Sequence, residues 1–185
     1  MCLFSVNLKR HLTAFGCSVL LSGMVSAEPA PPELLQKLLE ASPVDAPRVA
    51  REVETIWARS GSAAMDLLLK RGRDALEEGE FSVAIDHLTA LTDHAPDFAE
   101  GFNARAEAYF RADLYGPAMD DLETALALNP LNYKAMFGVA VMMQETGDKR
   151  RAAELYRRVL AIHPNHENAK DALERLKRDG IGREL

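Results

Sequence analysis

The sequence predicts an all-α fold: a solenoid of three helix–turn–helix repeats, with a helical hairpin before them and a capping helix after them. One observation is a set of three prolines spaced 34 residues apart, at Pro96, Pro130 and Pro164. Another is an alanine twelve residues ahead of each proline, at Ala84, Ala118 and Ala152. A 34-residue period is typical of stacked helical hairpins, because one hairpin alone cannot bury its apolar face.

The prolines set the repeat boundaries at 65–98, 99–132 and 133–166. Each alanine lets the two helices of a hairpin approach closely, since ridges pack into grooves only where side chains allow it. A large apolar residue follows each alanine by four positions, on the same helix face: Leu88, Leu122 and Tyr156. Each proline ends the second helix, because it lacks an N–H group and clashes with the preceding turn.

The turn inside each repeat is predicted from Gly79, Asp113 and Gly147, which occupy equivalent positions. Glycine adopts a positive φ angle without steric cost, and aspartate is among the residues that tolerate it best. We therefore expect a left-handed residue at each of these three positions.

Segments on both sides of the repeats carry amphipathic helical patterns. Residues 28–64 are expected to form a helical hairpin, either a degenerate repeat or an N-terminal cap, with Trp57 as a packing anchor. Its apolar stripes are Leu34, Leu35, Leu38 and Leu39, then Val49, Val53, Ile56 and Trp57. Residues 167–185 are the predicted capping helix and tail, in which Ala169, Ala172, Leu173 and Leu176 lie on one face.

Residues 1–27 have the three parts of a secretory signal peptide: a basic pair at 9–10, an uncharged run over 12–27, and small residues before a cleavage point after Ala27. The uncharged run is shorter than the roughly 20 apolar residues of a spanning helix. We expect cleavage, export to a bacterial periplasm and no stable membrane insertion afterwards. An uncleaved anchor and a lipoprotein modified at Cys17 are the alternatives.

The charge balance argues against nucleic acid as a partner. The formal net charge is −6, and it becomes −8 without residues 1–27. Nucleic-acid binding depends on neutralising phosphates, which an acidic chain does poorly. The charge is also uneven, with −9 over residues 65–132 and +3 over residues 133–166. The basic residues of the last repeat are interpreted as a solvated face or as a flank that orients a partner.

Small, large and proline positions recur together in three registers over residues 65–166, and in this the chain resembles the tetratricopeptide repeat (TPR) family, in particular small secreted bacterial TPR proteins. The residues that carry the resemblance are Gly72, Ala84 and Pro96; Tyr109, Ala118, Ala125 and Pro130; and Ala140, Ala152, Tyr156 and Pro164. The resemblance implies an α-solenoid whose concave groove binds a protein or peptide. The chain departs from the family where a tryptophan is often found, at Leu68, Phe102 and Met136.

Five positions in the first helix of each repeat line the groove in TPR proteins. In this chain they are Asp66, Leu69, Arg73, Leu76 and Glu77; Glu100, Asn103, Glu107, Phe110 and Arg111; and Lys134, Phe137, Val141, Gln144 and Glu145. The candidate partner-binding residues among them are the aromatic pair Phe110 and Phe137 and the polar residues Arg73, Asn103, Arg111 and Lys134. Apolar anchors beside a few polar groups suit a peptide groove. Alternatively, the two phenylalanines only pack between adjacent hairpins.

A carboxylate clamp is not expected in this groove. TPR proteins that clamp a C-terminal carboxylate use lysine, asparagine and arginine at five groove positions. Those positions hold Leu69, Arg73, Ala104, Lys134 and Gly138 here, and only Lys134 matches.

No enzymatic activity, cofactor or metal site is predicted. The sequence contains no glycine-rich phosphate loop, no nucleophile elbow and no His-Glu-x-x-His motif. His163 and His166, on either side of Pro164, are interpreted as loop residues. Acidic residues in the middle repeat are interpreted as a solvated helix face: Asp120, Asp121 and Glu123.

The leading functional hypothesis is an exported adaptor that binds a peptide or protein segment in its concave groove. The alternative is a structural envelope subunit that assembles through its ends or convex face, with self-association driven by the acidic-to-basic gradient. In both hypotheses the partner is a protein.

Overall fold

The computed structural model describes residues 30–178 and residue 180. Within this part of the chain the secondary structure is nine α-helices without a strand, which confirms the all-α prediction. The helices are α1 (Pro32–Glu40), α2 (Ala46–Trp57), α3 (Ala63–Glu78), α4 (Phe81–His94), α5 (Ala99–Arg111), α6 (Tyr115–Leu128), α7 (Tyr133–Glu145), α8 (Lys149–Ile162) and α9 (Glu167–Arg178). The predicted signal peptide lies outside the described residues. None of these nine helices combines the length and apolar character needed to cross a bilayer.

The three helix pairs α3–α4, α5–α6 and α7–α8 stack in sequence order. Their second helices end at His94, Leu128 and Ile162, each two residues before a repeat proline. The residue that precedes each proline has left the helix, with φ between −128° and −135°. This conformation is the one expected there, because the proline ring disfavours a helical neighbour on its N-terminal side.

Left-handed residues form the turn within each pair, as the sequence predicted. Gly79 and Gly147 have φ angles of 79° and 91°, and Asp113 has a φ of 60°. The C-terminal turn of α3 closes with Gly79 N–H donating to Leu76 O at 3.2 Å and Glu80 N–H donating to Ala75 O at 2.8 Å. These bonds satisfy carbonyl groups that a helix end otherwise leaves unpaired.

Small residues set how closely the paired helices approach. The repeated alanines and the large residues one turn later are almost fully buried: Ala84, Ala118, Ala152, Leu88, Leu122 and Tyr156. At Gly72 in α3 the approach is closest, since a Cβ atom placed there would lie 2.5 Å from Leu88 Cγ in α4. The packing thus depends on the absence of a side chain at this point.

The capping helix α9 packs as the sequence predicted. Its stripe of Ala169, Ala172, Leu173 and Leu176 is buried in one cluster with apolar residues of α7 and α8. Its charged residues face solvent, so the helix closes this end of the stack against water.

The α1–α2 hairpin does not stack in front of α3. Its buried residues join the cluster that contains α7, α8 and α9: Leu38, Val49, Val53 and Trp57. Its connecting loop is held at the far end of the array, where Asn165 Nδ2 donates to Ala41 O at 2.8 Å. Its C-terminal end returns to the first repeat, where Ser60 N–H and Oγ–H donate to Asp66 Oδ1 at 2.8 and 2.7 Å.

The predicted solvated face on α6 is partly wrong, because Asp121 is buried. Its carboxylate accepts two bonds from Arg105 in α5, from Nε to Oδ2 at 2.7 Å and from Nη2 to Oδ1 at 2.8 Å. The same guanidinium donates to Thr92 Oγ1 in α4 at 2.7 Å. A bidentate Arg–carboxylate pair of this kind fixes geometry as well as adding energy.

Replacing Gly72 by alanine is expected to destabilise the fold. Helix propensity favours alanine by about 1 kcal/mol, but a Cβ atom 2.5 Å from buried Leu88 forces repacking, and overpacking costs roughly 1–3 kcal/mol. We expect Gly72→Ala to lower the free energy of unfolding by about 1 kcal/mol, measured by urea denaturation followed by circular dichroism. Gly116→Ala is the matched control, since nothing lies within 4 Å of its Cβ position. Equal stability of the two variants would contradict the close-approach argument.

Candidate functional site

A cavity of about 750 Å³ lies where α5, α7, the α8–α9 loop and α2 come together. Its apolar lining includes Phe110, Leu122, Phe137, Val141 and Met142. Its polar lining includes Glu54, Asn103, Glu107, Lys134, His163, Asn165, His166, Glu167, Asn168 and Lys170. An apolar surface with a few polar groups around it is the usual composition of a ligand site.

The helical repeat explains why these side chains share one surface. Asn103, Glu107 and Phe110 are spaced four and three residues apart on α5, so they lie on one face of that helix. Lys134, Phe137 and Val141 are spaced three and four residues apart on α7, so they also share one face. Because α5 and α7 are the first helices of neighbouring repeats, the two faces lie side by side.

Four of the six candidate binding residues line this cavity: Asn103, Phe110, Lys134 and Phe137. Arg73 lies outside it, in an ion pair with Glu100. Arg111 is also outside, with its guanidinium carbon 5.4 Å from the centre of the Phe81 ring. None of the groove positions of α3 contributes to the lining. The family resemblance, in contrast, implied a single groove lined by the first helices of all three repeats, α3, α5 and α7.

A buried carboxylate connects α3, α5 and α7 beneath the cavity. Glu100 is only 3% exposed and pairs with Arg73. Glu100 Oε1, the atom that pairs with Arg73, also lies 3.6 Å from Lys134 Nζ. Asn103 Nδ2 donates to both carboxylate oxygens at 3.3 Å. One negative charge thus holds polar groups of three helices in place, as a buried charge requires.

Tyr133 joins the hairpin to the third repeat. Its ring is 1% exposed, and its hydroxyl donates to Glu54 Oε1 in α2 at 2.7 Å. The Trp57 ring packs on it with centroids 5.2 Å apart. Burial and the negative charge of Glu54 raise the pKa of Tyr133 well above its usual range. The sequence identified Trp57 as a packing anchor but gave no signal for Tyr133, which stands one residue before the first groove position.

The two histidines beside Pro164 have structural roles that the loop interpretation missed. His163 is 7% exposed, and its Nδ1 atom has no hydrogen-bond partner in the described structure. His166 Nδ1 accepts from Ala169 N–H at 3.2 Å, which caps α9, and its ring lies 4.9 Å from that of Phe137. Among the described residues, no group of three His, Cys, Asp or Glu side chains could hold a metal ion.

Burial of His163 is expected to make the fold sensitive to mild acid. Burial, aided by the positive charges of His166 and Lys170, lowers the pKa of His163 to about 4, below the ordinary value near 6.5. As pH falls from about 6.5 towards 4, the unfolded chain binds a proton that the folded chain does not, so stability is lost. We expect a loss on the order of 1–2 kcal/mol between pH 7 and pH 5, measured by urea denaturation.

The His163→Gln variant removes the titrating group and should flatten this pH dependence. His94→Gln is the control, because His94 is exposed. A pH profile that is the same in the wild type and in His163→Gln would contradict the assignment.

Comparisons with known proteins agree with the fold. A family model described as tetratricopeptide repeat matches residues 69–121 and 118–167. A TPR repeat-containing protein of Rhizobium etli is 30% identical over 156 residues, covering 82% of this chain and 76% of that protein. Sperm-associated antigen 1 of Mus musculus is 29% identical over 109 residues, which are 59% of this chain and 12% of that protein.

A solved structure with the same architecture contains a bound peptide. The first TPR domain of Spaghetti (RPAP3), bound to the HSP90 peptide SRMEEVD, matches with a TM-score of 0.61 and 28% identity. The match covers 64% of this chain and 94% of that chain. On the family match and the Rhizobium relative together, the chain belongs to the tetratricopeptide repeat family.

Proposed function

We propose that this protein is an exported adaptor, without catalytic activity of its own, that binds a peptide segment in the cavity between α5, α7, α2 and the α8–α9 loop. The observation that carries the proposal is the composition of the cavity. Phe110, Phe137 and Val141 supply an apolar surface, and Asn103 and Lys134 add polar groups beside it. Peptide recognition uses this combination, with apolar anchors for affinity and polar groups for orientation.

The related TPR domain of RPAP3 supports a peptide as the ligand class, since that domain is bound to an HSP90 peptide. The polar groups of this chain differ from a carboxylate clamp. Lys134 stands at the one matching position, and its ammonium group lies 3.6 Å from the buried Glu100 carboxylate. We therefore propose a peptide ligand that this cavity recognises by other contacts.

The lining also favours binding over catalysis. The described residues around the cavity include no serine, threonine or cysteine. The one hydroxyl among them, that of Tyr133, donates to Glu54, and its raised pKa keeps it protonated and poorly nucleophilic. The proposed role of the cavity is to hold a partner segment.

Shortening Phe110 should weaken partner binding without unfolding the protein. Phe110 is half-buried at the cavity wall, and removal of an aromatic anchor from a binding pocket costs roughly 1–3 kcal/mol. A photoreactive amino acid at position 168, an exposed lining residue, would report the partner in intact cells. We expect Phe110→Ala to reduce the cross-linked product about tenfold, with helicity unchanged by circular dichroism.

Leu128→Ala is the matched control, because Leu128 is an exposed apolar residue outside the cavity. A photoreactive group at position 83, on exposed α4 surface, controls for non-specific capture. Products that form equally from positions 168 and 83, or that survive Phe110→Ala, would contradict binding in this cavity.

Export is the second part of the proposal, and it rests on the sequence of residues 1–27. Cleavage after Ala27 predicts a mature chain that begins at Glu28 and contains neither cysteine. In a Gram-negative host, we expect the protein in the periplasmic fraction, with Glu28 found by N-terminal sequencing. An intact N-terminus in the cytoplasmic or membrane fraction would contradict export with cleavage.

A further inference from the structure

We infer that the cavity selects a cationic side chain, arginine or lysine, carried by a short peptide segment that also makes apolar contacts. The inference rests on the proposed function and names the chemistry of the segment. Carboxylates in the lining outnumber lysines.

Three carboxylates lie around the cavity: Glu54 from α2, Glu107 from α5 and Glu167 from α9. Glu107 and Glu167 are exposed and make no ion pair or hydrogen bond in the described structure. Glu54 uses Oε1 for the Tyr133 hydroxyl, and its Oε2 is not engaged. Carboxylates converge here from three separate elements of the fold.

The two lysines of the lining already have partners. Lys134 Nζ is 3.6 Å from Glu100 Oε1, and Lys170 Nζ donates to Asn165 Oδ1 at 3.2 Å. Neither ammonium group pairs with Glu54, Glu107 or Glu167. The three carboxylates therefore outnumber the two lysines, one of which is already paired with Glu100, and the lining keeps a net negative charge.

Asn103 adds an amide oxygen to the acceptors of the site. It is 8% exposed, and its Nδ2 faces the Glu100 carboxylate. A carboxylate accepts hydrogen bonds only, so it fixes which way the amide points. Asn103 Oδ1, which has no partner in the described structure, remains as an acceptor for a ligand.

His163 lines the cavity without adding a charge to it. The residue is more than nine-tenths buried, and its Nδ1 atom is closed to solvent and has no hydrogen-bond partner in the described structure. The lowered pKa of His163 keeps its ring neutral near pH 7, so a bound cation meets no positive charge from it.

Aromatic rings complete a site for a cation on an apolar stem. Tyr133, Phe137 and Phe110 line the cavity beside the acceptors, and an aromatic face attracts ammonium and guanidinium groups. Arginine and lysine also carry methylene stems that pack on apolar surface. At about 750 Å³, the cavity accommodates a few residues of peptide rather than an extended strand across all three repeats.

The test uses the full mature chain and four matched peptides. They are acetylated and amidated pentapeptides of sequence Ala-Phe-X-Leu-Ala, where X is arginine, lysine, citrulline or glutamate. Citrulline has the shape of arginine without its charge. The fluorescence of Trp57, the single tryptophan of the chain, reports binding, and calorimetry confirms it.

We expect the arginine and lysine peptides to bind about tenfold more tightly than the citrulline peptide, with the glutamate peptide weakest. The advantage should shrink at high salt, because exposed charges are screened. Equal affinity for arginine and citrulline, or a preference for glutamate, would overturn the inference.

A double variant tests the carboxylates directly. Glu107→Gln with Glu167→Gln should weaken the arginine peptide about fivefold and leave the citrulline peptide unchanged. The control is Glu123→Gln with Glu154→Gln, which changes net charge equally at exposed sites outside the cavity. A similar loss in both double variants would assign the effect to overall charge and overturn the local site.

Two further outcomes separate this inference from the proposed function. If all four peptides bind equally and Phe110→Ala abolishes their binding, the groove function stands and the cation selectivity is wrong. If none of them binds and cross-linking from position 168 also fails, both are wrong. If free arginine amide binds as tightly as the arginine peptide, the inference that the ligand is a peptide is wrong.

Discussion

The close approach of paired helices is the constraint on which the rest of the structure depends. Gly72 allows the Leu88 side chain to pack against the backbone of α3. The buried alanines Ala84, Ala118 and Ala152 likewise allow the two helices of each hairpin to approach closely. Where the middle and third repeats meet, Gly138 in α7 packs closely against Leu122 in α6, and both residues line the cavity. The shape of the cavity therefore depends in part on this small residue.

Buried charged groups fix the position of each hairpin relative to its neighbours. Arg105 and Asp121 connect the middle repeat to α4, and Glu100 connects α3, α5 and α7. Apolar packing alone is tolerant of sliding, whereas charged groups buried without their partners cost several kcal/mol. These two networks therefore favour a single arrangement of neighbouring hairpins.

Sequence periodicity predicted those structural features that depend on nearby residues and recur in each repeat. The left-handed conformations of Gly79, Asp113 and Gly147 followed from residue type and spacing. The position of the α1–α2 hairpin did not follow, because an amphipathic stripe says that a face is buried and not what buries it. For the same reason the burial of Asp121 did not follow from the sequence, because it depends on Arg105 in another helix. The four candidate residues that line the cavity lie on α5 and α7, although Arg111, which is also on α5, is not among them.

The returning hairpin changes the connectivity of the fold. An open solenoid contains contacts between sequence neighbours only, so its repeats can form and unravel one at a time. Here the Tyr133–Glu54 bond spans 79 residues and the Asn165–Ala41 bond spans 124. Such long-range contacts close the chain into a loop, which raises contact order and slows folding. The hairpin, the third repeat and α9 thereby form one cooperative unit, in which fraying at that end of the array must first release the hairpin.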